Sequence, residues 1–202
     1  TMLQAKVACF CSSFLCTLPL IVKEGPSIAI LTAISIGCGI WYTAGPYSLA
    51  MLGLGDAFVF LFFGPVAVMS VTYLHTGHVE LPPLLGGLAT GALSTALIAV
   101  NNIRDWREDA LAGRETLPVR FGARAGAIEY TAMLSIAALV PILLITLSGA
   151  PYATLLATLS LVLAAPLAYR TFRYTDAREL NGVLYETGRL FAVYTVILCL
   201  TV

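Results

Sequence analysis

Asn101-Asn102-Ile103-Arg104-Asp105-Trp106-Arg107-Glu108-Asp109 closes a long apolar run and holds two of the chain's four aspartates. The run that it closes, 82–101, is one of seven stretches near the ~20 apolar residues that a membrane-crossing helix requires. The seven are roughly 6–22, 26–43, 56–76, 82–101, 124–148, 150–171 and 183–202. The 202 residues are 59% hydrophobic and 11% charged, with mean hydropathy +0.90, whereas a soluble domain carries roughly 25% charge. These values exclude an ordinary soluble domain. They predict an all-α, polytopic membrane bundle of about seven transmembrane helices, forming a single domain over 1–202.

Gly and Pro separate the spans at Glu24-Gly25-Pro26, Gly45-Pro46, Gly77 to Pro83, Gly113 to Gly126, Gly149 to Pro151 and Thr175 to Gly182. Pro65, Pro141 and Pro166 lie inside runs and are expected to kink them. The five cysteines, Cys9, Cys11, Cys16, Cys38 and Cys199, make no metal-ligand pattern and read as small buried packing residues. His75 and His78 have no third ligand near them in sequence and read as interfacial.

Lys and Arg set the orientation. If the spans alternate, nine of the eleven basic residues fall on the side of the Asp-rich stretch: Lys6, Arg104, Arg107, Arg114, Arg120, Arg124, Arg170, Arg173 and Arg178. Arg189 lies just inside the last span, and Lys23 falls opposite. By the positive-inside rule the Asp-rich side is cytoplasmic. The expectation is an integral protein of a bacterial cell membrane or a plastid membrane, with the lipid bilayer as a partner and no nucleic-acid partner.

On a helix, Asp105 and Asp109 share a face, with Asn101 one turn earlier. Two carboxylates and an amide make an oxygen-rich site suited to Mg²⁺, an ion commonly completed by substrate phosphates. Arg114 and Arg120 follow at once and can clamp diphosphate oxygens as planar forks. Carboxylates for a metal, arginines for phosphate and an apolar bundle beside them suit a lipid with a diphosphate head. Asp56 begins another helix on the same side, where capping competes with a functional role. The rival classes are a non-catalytic membrane subunit or scaffold and a small-solute transporter. Clustering of polar residues on one side, away from mid-bilayer, counts against the transporter.

The pattern Asn101-Asn102-x-Arg104-Asp105-x3-Asp109-x3-Gly113-Arg114-x-Thr116-Leu117-x-Val119-Arg120-x-Gly122 resembles the second Asp-rich motif of the UbiA superfamily of intramembrane prenyltransferases. Its best likeness is to the menaquinone branch, the 1,4-dihydroxy-2-naphthoate polyprenyltransferases. Tyr42-Thr43-Ala44-Gly45-Pro46 is similar to that branch's Y-T-G-G-P loop. The stretch from Leu52-Gly53-Leu54-Gly55-Asp56 to Gly64-Pro65-Val66-Ala67-Val68 looks like its next helix, and Leu180-Asn181-x2-Leu184-x2-Thr187-x-Arg189-Leu190 the start of its last.

The resemblance implies a nine-helix family fold and transfer of a polyprenyl group from a prenyl diphosphate to an aromatic acceptor, with Mg²⁺ as cofactor. In the menaquinone branch the acceptor is 1,4-dihydroxy-2-naphthoate. It implies Asp105, Asp109 and Asn101 as metal ligands and Tyr42 beside the diphosphate or the developing cation. Substrate contacts are implied for Asn101, Asn102, Arg104, Arg114, Arg120, Asp56, Asn181 and Arg189. The family's first Asp-rich motif, of N-x3-D type, has no counterpart in these residues. The expectation is an N-terminally incomplete domain whose other metal site comes from a further segment or a partner chain. A different aromatic acceptor and a catalytically incomplete subunit are the alternatives.

Overall fold

The computed structural model describes residues 2–45 and 47–202, and every regular element among them is helical. The chain divides into two compact units, Thr1–Ser48 and Leu49–Val202.

In the first unit, α1 (Met2–Glu24) and α2 (Pro26–Thr43) pair as a helical hairpin. Gly25 ends α1, its N–H donating to the Ile21 carbonyl at 2.9 Å. Pro26 then opens α2, where its missing N–H would be unused in any case. Beyond α2 the Trp41 indole N–H donates to the Tyr47 carbonyl at 3.0 Å. Pro46 of the predicted turn lies outside the described residues.

The second unit is built on α5 (Leu81–Leu111), 31 residues and about 46 Å long. Ala89, Ala92, Leu93, Ala96, Ala99, Val100 and Ile103 recur three and four positions apart and are almost fully buried. Small side chains along this stripe let neighbouring helices approach closely, which is how helices associate where lipid removes the hydrophobic drive. The closest approach is to the broken helix of α3 (Gly55–Leu61), a π-helical turn (Phe62–Val66) and α4 (Ala67–Thr76). A Cβ at Gly91 would lie 2.4 Å from the Phe60 carbonyl oxygen, and one at Gly64 would lie 2.5 Å from that of Gly87. Backbone here packs on backbone. The break sits at Gly64-Pro65, as the proline predicts.

α6 (Leu117–Phe121) leads into α7 (Ala123–Ser148), which lies along α5. α8 (Leu155–Val162) and α9 (Ala165–Arg173) follow, split just before Pro166, and α10 (Glu179–Thr201) completes the unit. At Pro141 the expected kink does not interrupt the helix; α7 continues to Ser148. Proline leaves the carbonyl four residues back without its usual N–H. That carbonyl, Ala137, accepts the buried Tyr194 hydroxyl of α10 at 2.8 Å instead. The Tyr130 and Thr187 hydroxyls, 2.8 Å apart, tie the same two helices one stage nearer the Asp-rich end.

Among the described residues six helical stretches are long and apolar enough to cross a membrane: Val7–Glu24, Gly55–Thr76, Leu81–Leu111, Ala123–Ser148, Tyr152–Arg173 and Glu179–Thr201. The chain is an integral membrane protein. The remaining predicted span, 26–43, is a shorter apolar helix, Pro26–Tyr42. The cysteines are not buried: Cys9, Cys11, Cys16 and Cys199 are exposed and Cys38 is half-buried. Apolar runs in a bilayer protein point outward as well as inward, so apolar neighbours in sequence did not imply a core position.

Two tests follow from this packing. Gly91→Val forces backbones apart and is expected to cost about 2–3 kcal/mol or more, whereas Gly86→Ala, with open space around it, is near neutral. Melting of the detergent-solubilised protein measures both, and equal melting points would refute the close approach. Tyr194→Phe strands the Ala137 carbonyl and should cost about 1–3 kcal/mol. In a double-mutant cycle, Pro141→Ala restores the helical N–H and should remove most of that loss; additive effects would show that the two residues are unconnected.

Candidate functional site

α5 runs ten residues past the predicted end of its span because no Gly or Pro interrupts it before Gly113. The extension carries Asn101, Asn102, Arg104, Asp105 and Asp109 in continuous helix, so Asp105 and Asp109 do share a side, as the spacing predicts. α7 reaches this end of α5 through Gly126, where a Cβ would stand 2.6 Å from Ile103 and 2.8 Å from Pro118.

Each aspartate is held by its own arginine. Arg104 donates side-on to Asp105, Nε to Oδ1 at 2.6 Å and Nη2 to Oδ2 at 2.7 Å. Its remaining arm, Nη1, donates to Asn181 Oδ1 at 2.9 Å and so links α5 to the first turn of α10. Asp109 is only 6% exposed and accepts from Arg114 Nη1 at 2.9 Å. The Arg114 backbone N–H also donates to the Asp109 carbonyl at 2.9 Å, which closes the turn after α5.

Arg120 braces the floor beneath. It donates to the Leu52 carbonyl at 2.9 Å, to the Glu115 carbonyl at 3.0 Å and to the Glu115 carboxylate. Gly53 passes so close to this loop that a Cβ would overlap the Glu115 carbonyl oxygen at 2.0 Å. The Glu115 N–H in turn donates to the Met51 carbonyl at 3.0 Å.

Asp56 does not cap α3, whose N-terminus makes no side-chain cap bond. Its carboxylate instead accepts from Asn102 Nδ2 at 2.9 Å. Sequence reasoning missed the residue facing this pair, Glu129 on α7. It lies close enough to Asp56 for the two carboxylates to repel, and its Oε2 is buried without a hydrogen-bond partner. The signal was available: Glu129 is the one acidic residue in the apolar run 124–148, and ionisable groups inside spans warrant a functional reading.

The structure thus brings together Asn101, Asn102, Arg104, Asp105, Asp109, Arg114, Arg120, Asp56 and Asn181 at one end of the second unit. Arg189 stands about 12 Å further along α10, paired with Glu186 at 3.3 Å as its spacing predicts. Tyr42 belongs to α2 of the first unit. The atoms that Asp105, Asp109 and Asn101 can offer a metal are oxygens, a hard set that suits Mg²⁺. Among the described residues no three His, Cys, Asp or Glu side chains converge on one point. The fit is therefore to an ion held by one or two carboxylates and completed by water and substrate phosphate, which is the usual manner of Mg²⁺.

Comparison with known proteins identifies the relatives of this sequence. The sequence model described as the UbiA prenyltransferase family matches residues 1–195. The 1,4-dihydroxy-2-naphthoate octaprenyltransferase of Mycobacterium tuberculosis is 34% identical over 199 residues, covering 96% of this chain and 65% of that protein. The enzyme of the same name from Escherichia coli is 39% identical over 155 residues, covering 76% and 48%. A UbiA prenyltransferase domain-containing protein 1 from Gallus gallus is 27% identical over 184 residues, covering 91% and 53%. The chain spans between about half and two thirds of the length of these relatives.

Replacing Glu129 by Leu removes a buried carboxyl oxygen with no hydrogen-bond partner. It is expected to raise stability by about 1–3 kcal/mol, read as a higher melting temperature. A lower melting temperature would mean that the carboxylate has a stabilising partner in the folded protein.

Proposed function

Because the chain belongs to the UbiA prenyltransferase family, we propose that its Asp-rich end takes part in transferring a polyprenyl group from a prenyl diphosphate to 1,4-dihydroxy-2-naphthoate, a step of menaquinone biosynthesis. The observation that carries the reading is the pair of carboxylate–arginine couples, Asp105 with Arg104 and Asp109 with Arg114, at the end of a membrane-crossing helix. Apolar tail and charged head would meet there.

Asp105, Asp109 and Asn101 would hold Mg²⁺, which when bound neutralises charge on the diphosphate and makes it a better leaving group. Arg104 and Arg114 are then free to turn from their aspartates to phosphate oxygens. An arginine fork fits either partner, so the exchange keeps every charge paired. Arg120 stays tied to the Leu52 and Glu115 carbonyls and holds the loop that carries Arg114. Asn102 and Asp56 position the α5 face, and Asn181 keeps Arg104 extended toward α10. Tyr42 is assigned to the developing allylic cation, whose charge an aromatic face stabilises. Arg189 is assigned to the aromatic acceptor on the α10 side. Loss of diphosphate leaves the electron-deficient prenyl carbon for attack by the electron-rich ring, and the ring then loses its carboxylate as CO₂. The Asp-rich end would face the cytoplasm, where both water-soluble head groups are available.

The test is product formation, followed by mass spectrometry, in membranes containing the protein, 1,4-dihydroxy-2-naphthoate, a prenyl diphosphate and Mg²⁺. Asp105→Asn and Asp109→Asn should each lower Mg²⁺-dependent turnover by about 100-fold or more. Unchanged turnover in both would sink the ligand assignment. Arg104→Lys keeps the charge but loses the side-on fork and should lower turnover by about tenfold or more. Turnover equal to that of the parent would show that the fork has no part in it.

A further inference from the structure

A second charged feature lies where α7 begins and α9 ends. A cavity of about 430 Å³ is lined by Ala123 and Arg124 in the first turn of α7 and by Thr171, Phe172, Arg173 and Tyr174. Its volume leaves room for on the order of ten waters, or for a molecule of that size. None of the residues assigned to prenyl transfer lines it.

The arginines here differ from those of the Asp-rich end. Arg104, Arg114 and Arg120 are each bound to a carboxylate. Arg124 and Arg173 are exposed, and neither forms an ion pair among the described residues. No carboxylate lines the cavity. The guanidinium of Arg173 lies 5.8 Å from the Tyr169 ring centroid, which supports it on one face and leaves its edge N–H groups available. α7 starts without a side-chain cap, so the positive end of a 26-residue helix opens at the same place. The side chain of Thr171 is occupied in its own helix, donating to the Ala168 carbonyl at 2.8 Å, so the two arginines supply the charged donors.

Position decides the ligand class. The membrane-crossing stretch Ala123–Ser148 begins at this cavity and Tyr152–Arg173 ends at it. The cavity therefore lies at the level where helices leave the apolar layer and lipid phosphates are found. Phe172 and Tyr174 add the aromatic character of a membrane–water boundary. Two unpaired guanidinium groups from different helices, a helix N-terminus and the absence of acidic lining suit a phosphate. We propose that this cavity binds the phosphate of an anionic lipid headgroup, with Arg124 and Arg173 as its two donors. Basic pockets between membrane helices are a known way of holding such headgroups.

Native mass spectrometry of the detergent-solubilised protein tests this, with titration by phosphatidylglycerol and separately by phosphatidylcholine. Phosphatidylglycerol should bind preferentially. The double variant Arg124→Gln, Arg173→Gln should lose about 30-fold in apparent affinity for it, and each single variant about fivefold. Arg178→Gln, an exposed arginine at the same end that does not line the cavity, should bind as the parent does. If the double variant melts earlier than the parent, the single variants give the reading. Equal binding of the two lipids, or equal loss in Arg178→Gln, would overturn the proposal. Displacement by inorganic diphosphate without preference for phosphatidylglycerol would assign the cavity to a soluble anion and overturn it as well.

Discussion

The larger unit depends on how closely its helices approach α5. Gly87 and Gly91 meet the α3–α4 helix where Gly64 interrupts it, and the contact is backbone on backbone. Farther along, a stripe of alanines does the same for the other neighbours. In a bilayer this matters more than in water. Lipid tails are as apolar as leucine, so helices gain little by merely hiding apolar side chains, and close contact with dispersion attraction must supply the difference.

That packing also sets the chemistry. α5 is longer than the hydrocarbon layer is thick, and its extra turns carry the charged residues out of the apolar region. There the two aspartates are each paired. Arg104 and Arg114 neutralise Asp105 and Asp109 within the same stretch of chain. A site built from such pairs can accept a cation and an anion together, because each partner released from a pair is taken up by an incoming group of the right sign. It is a poor site for either alone, since one ion would leave a neighbouring charge unpaired near an apolar layer. The pairing seen here is the resting arrangement that the proposed metal–diphosphate site would have.

Prolines show how sequence and structure divide the work. Pro65 and Pro166 mark real breaks, and the residues say so directly. Pro141 does not, because Tyr194, distant in sequence, satisfies the carbonyl that the proline leaves open. Asp56 is a similar case. Its place at a helix start suggested a cap, but Asn102 on α5 takes its carboxylate instead. Glu129 was visible as a lone acid in an apolar run, yet nothing in the run said that it would face Asp56.

The helical class, the approximate spans and the shared side of Asp105 and Asp109 were determined by the sequence alone. They follow from local periodicity and from the length of apolar runs, which need no knowledge of neighbours. The residues of the Asp-rich stretch and the family likeness were legible for the same reason, since they lie together in the chain. Tertiary structure alone decided that Arg104 reaches Asn181, that the loop beginning at Met51 supports the loop bearing Arg114, and that Arg124 meets Arg173 across a cavity. These relations join residues far apart in sequence. They exist only once helices have packed at distances set by glycine and alanine, and no local pattern encodes that distance.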